Sequence, residues 1–239
     1  MMTIIEMAIL VTFAFLPPLL YTVWIRNTER YHRERWVPIF ICFLWGATIA
    51  VIASIVLELL IGESLAITLK NASLYGLLAT IIIAPFVEEF TKPIALNLKT
   101  VRRELDEIED GYIYGAVAGL GFSATENLLY GTTFLVHGLG FFLLLMMMRS
   151  VGGCLLHASA TAFTGYGFGK AIMEKSSLWT VLPFFILAFF THAAYNLLAT
   201  IGTVGIAIGL FLALFFVIFT ISYIRKRIKL FDLMPENKK

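Results

Sequence analysis

Charge is scarce in this chain. Only 14% of its 239 residues are Asp, Glu, Lys or Arg, against about 25% in soluble domains. That deficit excludes an ordinary soluble globular domain, and a 59% apolar content fills the gap. Neither sign dominates. A net charge of +2 offers no basic surface, so no nucleic-acid partner is expected. Cysteine is nearly missing: Cys42 and Cys154 fall in separate apolar segments, which argues against a disulfide and reads as small packing residues. Cys154 stands three residues before His157, so a subsidiary ligand role is weakly open. No internal repeat or low-complexity stretch is visible, and many secondary transporters carry such a repeat.

What the chain has is apolar length. Runs of about 20 residues recur, enough to cross a hydrocarbon core of about 30 Å. The reading is an all-α polytopic transmembrane helical bundle, with residues 1–239 forming one integral membrane domain. Seven spans are expected at roughly 5–25, 37–60, 71–98, 111–135, 140–170, 178–200 and 203–224, punctuated by Gly62, the charged 99–110 stretch, Gly138, Ser176-Ser177 and Gly202. The first run has acidic Glu6 and no basic stretch before it, so it reads as a span, not a cleaved signal. Arg149 falls awkwardly inside the fifth span. It suggests a re-entrant or interfacial piece over 139–148, an eighth membrane element, with Arg149 snorkelling to the outer interface.

Lys and Arg alternate between loops. Arg26, Arg30, Arg33 and Arg35 follow the first span, Lys99, Arg102 and Arg103 the third, Lys170 and Lys175 the fifth. A basic tail over 225–239 closes the chain, ending in Lys238 and Lys239, and Lys70 is the main exception. The pattern predicts an integral cell membrane protein with its N-terminus outside and its C-terminus cytoplasmic.

Against this background the ionisable groups inside the apolar runs stand out. Glu88 and Glu89 sit side by side in IIIAPFVEEFTKPIAL; each intramembrane carboxylate costs roughly 3 kcal/mol on insertion scales. Glu126, His157 and His192 lie in three other spans. Counted at about 1.5 Å per residue from the nearest polar boundary, Glu88, Glu126, His157 and His192 are roughly 16 to 24 Å deep. Four helices thus bring carboxylate or imidazole to one level, which predicts a shared polar site. Local features agree. Pro85 and Pro93 bracket the glutamates and should distort their helix, Pro93 freeing the Glu89 carbonyl. Lys92 is one turn from Glu88 and can compensate its charge. Gly111, Gly115 and Gly119 form a small-residue stripe for close helix contact, with Phe122 and Glu126 continuing near that face and Asn127 beside it as a hydrogen-bond donor. Gly153, His157 and Thr161 share a face, and Asn196 is one turn from His192.

Two chemistries suit this set. In one, Glu126, His157 and His192 ligate a metal, most plausibly zinc, leaving a position for water, and a second carboxylate is the general base. In the other there is no cofactor: a glutamate and a histidine activate water directly, with Asn196 stabilising the oxyanion. Proton relays use the same parts, so a proton-coupled transporter is the rival from another class.

The run Glu88-Glu89-Phe90-Thr91-Lys92 reads EExxK, Phe122 to Asn127 reads FxxxEN, and His157 precedes an HxxxN from His192 to Asn196. In that order these motifs resemble the PrsW family of intramembrane proteases. They are more distantly similar to the CAAX prenyl endopeptidases and to related bacteriocin-processing or immunity proteins. The resemblance covers roughly residues 70–200, taken as the core carrying catalysis. It implies a membrane-embedded peptidase, of metallo- or glutamic type, acting on a membrane-anchored protein or peptide, with Glu88, Glu89, Glu126, His192 and Asn196 catalytic and His157 a retained histidine. Lys92 one position early and Glu126 in place of a histidine separate the chain from the CAAX pattern. A non-catalytic immunity protein is the remaining alternative. The substrate and the oligomeric state are not legible.

Overall fold

The computed structural model describes residues 3–69, 71–200 and 206–234. Lys70, Gly202, Lys238 and Lys239 lie outside the described residues. All regular structure among the described residues is helical: α1 (Ile4–Arg26), α2 (Trp36–Leu69), α3 (Ala72–Asn97), a short α4 (Lys99–Arg102), α5 (Ile108–Leu135), α6 (Leu139–Met173), α7 (Leu178–Thr200) and α8 (Ile206–Phe231). Six of these, α1, α2, α3, α6, α7 and α8, are long and apolar enough to cross a membrane. Their outward faces carry Leu20, Phe40, Ile52, Phe86, Phe211 and Phe215, an apolar exterior suited to lipid.

The fourth expected span, α5, differs from the rest. It is long enough to cross, yet every residue from Glu109 to Ala124 is buried, with α1, α2 and α6 packed on it. A helix enclosed over this length needs no lipid-facing side, so glycines and charged groups are admissible in it. The stripe of Gly111, Gly115 and Gly119 packs on the backbone of α6. A Cβ on Gly119 would run into the His157 carbonyl, so the missing side chain sets how closely His157 approaches α5.

Several expected boundaries move. Gly62 does not end α2; the helix runs through it to Leu69. Glycine inside a helix costs only about 1 kcal/mol, and here a Cβ would lie 2.6 Å from the Tyr75 hydroxyl of α3. The re-entrant piece over 139–148 is instead the first part of a continuous 35-residue α6. Phe142 and Met146, one turn apart, pack on Leu10 and Ala14 of α1, an ordinary helical stripe. Gly138, at φ 108°, does mark the break before α6, and Ser177 caps the first turn of α7.

α3 is regular only in parts. Ala79–Ile83 form a π turn and Lys92–Asn97 a 3-10 turn, each next to one of the bracketing prolines. In the π turn the Ala84 N–H donates to the Ala79 carbonyl. The Thr80 carbonyl would then look to residue 85, which is proline and has no N–H.

The loop after α1, the connector between α4 and α5, and the end of α8 meet at one end of the bundle. His32 Nδ1 is 3.6 Å from Glu107 Oε1 and Arg35 Nη1 3.5 Å from Glu104 Oε1; Arg30 N–H donates to Asp232 at 2.9 Å. Three of the basic segments that alternate in the sequence are therefore gathered on one side.

Candidate active site

The local folding of α3 presents three charged groups inward. Glu88 and Glu89 sit on its straight α-helical stretch, and Lys92 opens the 3-10 turn that Pro93 enforces. The neighbouring Thr91 is anchored: its hydroxyl lies 2.7 Å from Ser54 Oγ, and its carbonyl accepts from Trp45 Nε1 at 3.1 Å. Lys92 is fully buried, with Nζ 2.8 Å from Glu88 Oε2, 2.9 Å from Glu89 Oε1 and 2.8 Å from His157 Nδ1. The Phe122 ring lies 4.3 Å beneath the ammonium, a favourable cation–π contact away from water.

Glu89 is held three times. Besides Lys92, Thr161 donates to its Oε2 at 2.9 Å and His192 Nδ1 lies 2.9 Å from its Oε1. Glu88 has Lys92 alone as a close partner, with His157 Nδ1 at 3.7 Å and His192 Nδ1 at 4.0 Å. The two imidazoles meet edge to face, ring centres 5.0 Å apart. His157 Nε2 is 2.7 Å from Glu126 Oε2, so His157 bridges the α3 carboxylates and the α5 carboxylate.

The structure therefore brings Glu88, Glu89, Lys92, Glu126, His157 and His192 into one linked cluster, with Phe122 as an apolar wall. Of the expected ligand trio, His157 and His192 lie side by side and Glu126 reaches His157 alone, from its Nε2 side. Glu88, His157 and His192 each offer one donor atom within 4.8 Å of the others. Glu126 takes the far nitrogen of His157, the usual place of a carboxylate that orients a metal-binding histidine.

Arg149 turns toward α5. Its Nη2 forms an ion pair with Glu126 Oε2 at 2.8 Å, its Nε donates to Asn127 Oδ1 at 2.8 Å, and it stacks 4.2 Å over Tyr130. An arginine inside the bilayer is cheaper beside a carboxylate than alone, and that partner was one turn from Tyr130 all along. Asn127 accepts from Arg149, while its amide lies 3.5 Å from the Cys154 sulfur. Cys154 is buried and packs there, away from the linked donors; both cysteines are free thiols.

Asn196 does not reach the cluster. Its Nδ2 donates to the Thr80 carbonyl at 2.9 Å, the acceptor that the π turn and Pro85 leave unpaired. There it ties α7 to α3. Thr161 and Arg149 are the members that the motifs did not assign. The four-residue spacing of Thr161 from His157 was a signal for the first, and a lone arginine mid-span for the second.

Beside the cluster lies a groove of about 880 Å³ lined by Phe86, Phe90, Ile94, Trp179 and Phe185, with Glu89 contributing to its wall.

Residues 34–223 match the family described as PrsW family intramembrane metalloprotease. Two curated proteins named Protease PrsW are similar. That of Clostridioides difficile (strain 630) is 32% identical over 118 residues, 49% of this chain and 48% of its own length. That of Geobacillus kaustophilus (strain HTA426) is 32% identical over 132 residues, 54% of this chain and 56% of its own. The chain thus spans about half the length of these relatives. No solved structure matches it. Since the family match takes in the bundle from the loop before α2 into α8, the chain belongs to the PrsW family of intramembrane metalloproteases.

Proposed function

We propose that the chain is a membrane-embedded peptidase that hydrolyses a peptide bond of a membrane-anchored substrate at the Glu88–Glu89–His157–His192 cluster. The observation that carries this reading is the convergence of paired carboxylates and two imidazoles from α3, α6 and α7 inside one apolar bundle. The core is residues 70–200, which contain every member of the cluster. The bundle is an integral cell membrane protein with the end bearing the basic loops in the cytoplasm.

The donors fit a zinc ion: one carboxylate and two imidazoles within mutual reach, nitrogen and oxygen together, with a carboxylate behind His157. Glu88, His157 and His192 would hold it. The Lys92 ammonium now spans Glu88 and His157, so a metal there takes over the charge that Lys92 supplies. Counted as ionised, Glu88, Glu89 and Glu126 face, among the described lysines and arginines, Lys92 and Arg149 alone, which leaves room for further positive charge. Zinc at this set would supply Lewis acidity toward the scissile carbonyl and its attacking water.

The remaining roles follow from the chain's own contacts. Glu89, fixed by Thr161, His192 and Lys92, is placed to take a proton from water. Arg149 and Glu126 set the orientation of His157. The apolar groove beside Glu89 accepts an extended apolar segment from the lipid side and keeps bulk water out. The test is turnover of a membrane-anchored reporter peptide in proteoliposomes. Glu89→Gln and Glu88→Gln are both expected to abolish cleavage, with zinc retained by the first and lost by the second. Full activity in both variants overturns the assignment, and proton flux without cleavage would transfer it to a transporter.

A further inference from the structure

A second buried group of carboxylates lies at the basic end of the bundle, outside the cluster described above. The loop after α1 folds over the start of α5 and brings Glu29, Glu34 and Asp110 together, each nearly or fully buried. Their carboxylate oxygens lie within 4.8 Å of one another. Glu109 and Asp232 are buried nearby.

Ordinary partners do not account for them. Asp110 Oδ2 accepts from the N–H groups of Asp106 and Glu107 at 2.8 and 2.7 Å, a helix cap that favours one negative charge. The Tyr114 hydroxyl donates to Glu34, and Glu29 Oε2 accepts from the Glu34 N–H at 3.3 Å. Glu29 Oε1 has no partner, although the residue is only 1% exposed. The nearby arginines are turned to main-chain oxygens: Arg26 Nε donates to the Glu34 carbonyl at 2.6 Å and Arg33 Nε to the Glu29 carbonyl at 3.0 Å. Among the described residues, no lysine, arginine or histidine forms an ion pair with Glu29, Glu34 or Asp110. Burial, reinforced by the adjacent Asp110 and Glu109, pushes the Glu29 carboxyl up to about 9. Burial likewise pushes Glu34 up to about 7, against its contact with Asp110 and the hydrogen bond that Tyr114 donates.

An all-oxygen donor set selects hard cations over zinc or copper. Calcium holds its oxygens at about 2.3–2.6 Å, so donors on opposite sides of it are about 5 Å apart at most; the observed spread lies within that limit. We infer that Glu29, Glu34 and Asp110 bind a hard divalent cation of the calcium or magnesium class, which clamps the loop after α1 onto α5. Because Arg30 and Tyr31 N–H groups donate to Asp232, the same clamp ties in the end of α8.

The experiment uses the purified full chain in mild detergent with terbium(III) as the calcium probe. Tyr114, hydrogen-bonded to Glu34, can sensitise terbium emission. Saturable emission that calcium displaces is expected, with affinity lowered about ten-fold or more in Glu34→Gln and Glu29→Gln, since carboxylate count sets such affinities. Tyr114→Phe should dim the emission. His192→Ala should leave it unchanged, which separates this site from the intramembrane one. Calcium should raise the melting temperature of the parent and not of Glu34→Gln. Asp110→Asn also removes a helix cap, so the two glutamine variants carry the test. No saturable, calcium-displaced emission, or parental affinity in both glutamine variants, overturns the inference.

Discussion

At the start of α5, Glu29, Glu34 and Asp110 crowd together without a side-chain cation among them. Roughly 24 Å further along the same helix, Glu126 is met by Arg149, and through His157 by Lys92. Both regions bury carboxylates, and they differ in where the opposing charge comes from. The inner site carries its own cations, Lys92 and Arg149, so it can fold complete. The outer site sits near water, where an ion from solution can supply what the chain does not. Intramembrane charge is costly to leave unpaired, which explains why the built-in cations are on the inner side.

The largest expected effect comes from removing the inner base. Glu89→Gln keeps the hydrogen-bonding shape but not the proton acceptor, and turnover of a reporter peptide should fall by about a thousand-fold. A loss under ten-fold would move the base elsewhere, to Glu88 first.

The comparison sharpens when the inner cations are deleted one at a time. Lys92→Met leaves the buried Glu88 and Glu89 uncompensated, at a cost of about 3–5 kcal/mol, and Arg149→Met leaves the partly buried Glu126 so at a smaller cost, both readable as melting temperature in detergent with chelator. Zinc should restore Lys92→Met, because the ion occupies the donors that Lys92 spans. It should not restore Arg149→Met, whose lost partner, Glu126, lies behind His157. Equal rescue of both would mean the metal sits on Glu126, as the sequence alone suggested.

Gly119→Ala probes packing without touching charge. Its Cβ collides with the His157 backbone, and overpacking of this kind costs about 1–3 kcal/mol. Since His157 moves with it, cleavage should fall alongside stability, measured as the rate at a temperature where the variant stays folded.

The helical class and the convergence of the ionisable groups were legible because each rests on local pattern: apolar length, carboxylates where none should be, glycines every fourth residue. Less legible was anything decided by which helix turns toward which. Arg149 looked like an interfacial residue because its position along the chain fits that reading equally well; only the packing of α6 on α5 reveals Glu126 as its partner. The burial of α5 over Glu109 to Ala124 likewise depends on neighbours, not on its own hydropathy. Glu126 reads as part of the site from its position alone, but spacing cannot say which side of an imidazole a carboxylate occupies. The outer cluster was invisible because Glu29 and Glu34 sit in what reads as a solvated loop, and nothing local says that the loop folds inward.

Asn196 gives the smallest effect and the cleanest division between motif and geometry. One turn from His192, it was expected to stabilise an oxyanion, and loss of such a donor costs about 10²–10³ in rate. The structure places its amide on the Thr80 carbonyl instead, where a π turn and Pro85 leave an acceptor without a backbone donor. Thr80 lies on an exposed turn, so Asn196→Ala should destabilise the bundle by only about 1 kcal/mol, the net worth of one hydrogen bond, and change the cleavage rate of the folded fraction only a few-fold. Asn196→Asp should fare no better than alanine, because a carboxylate cannot donate to a carbonyl. A hundred-fold loss of rate at unchanged stability would instead return Asn196 to the chemistry. It would imply that α7 turns when substrate binds, releasing Thr80 and aiming the amide at the groove beside Glu89.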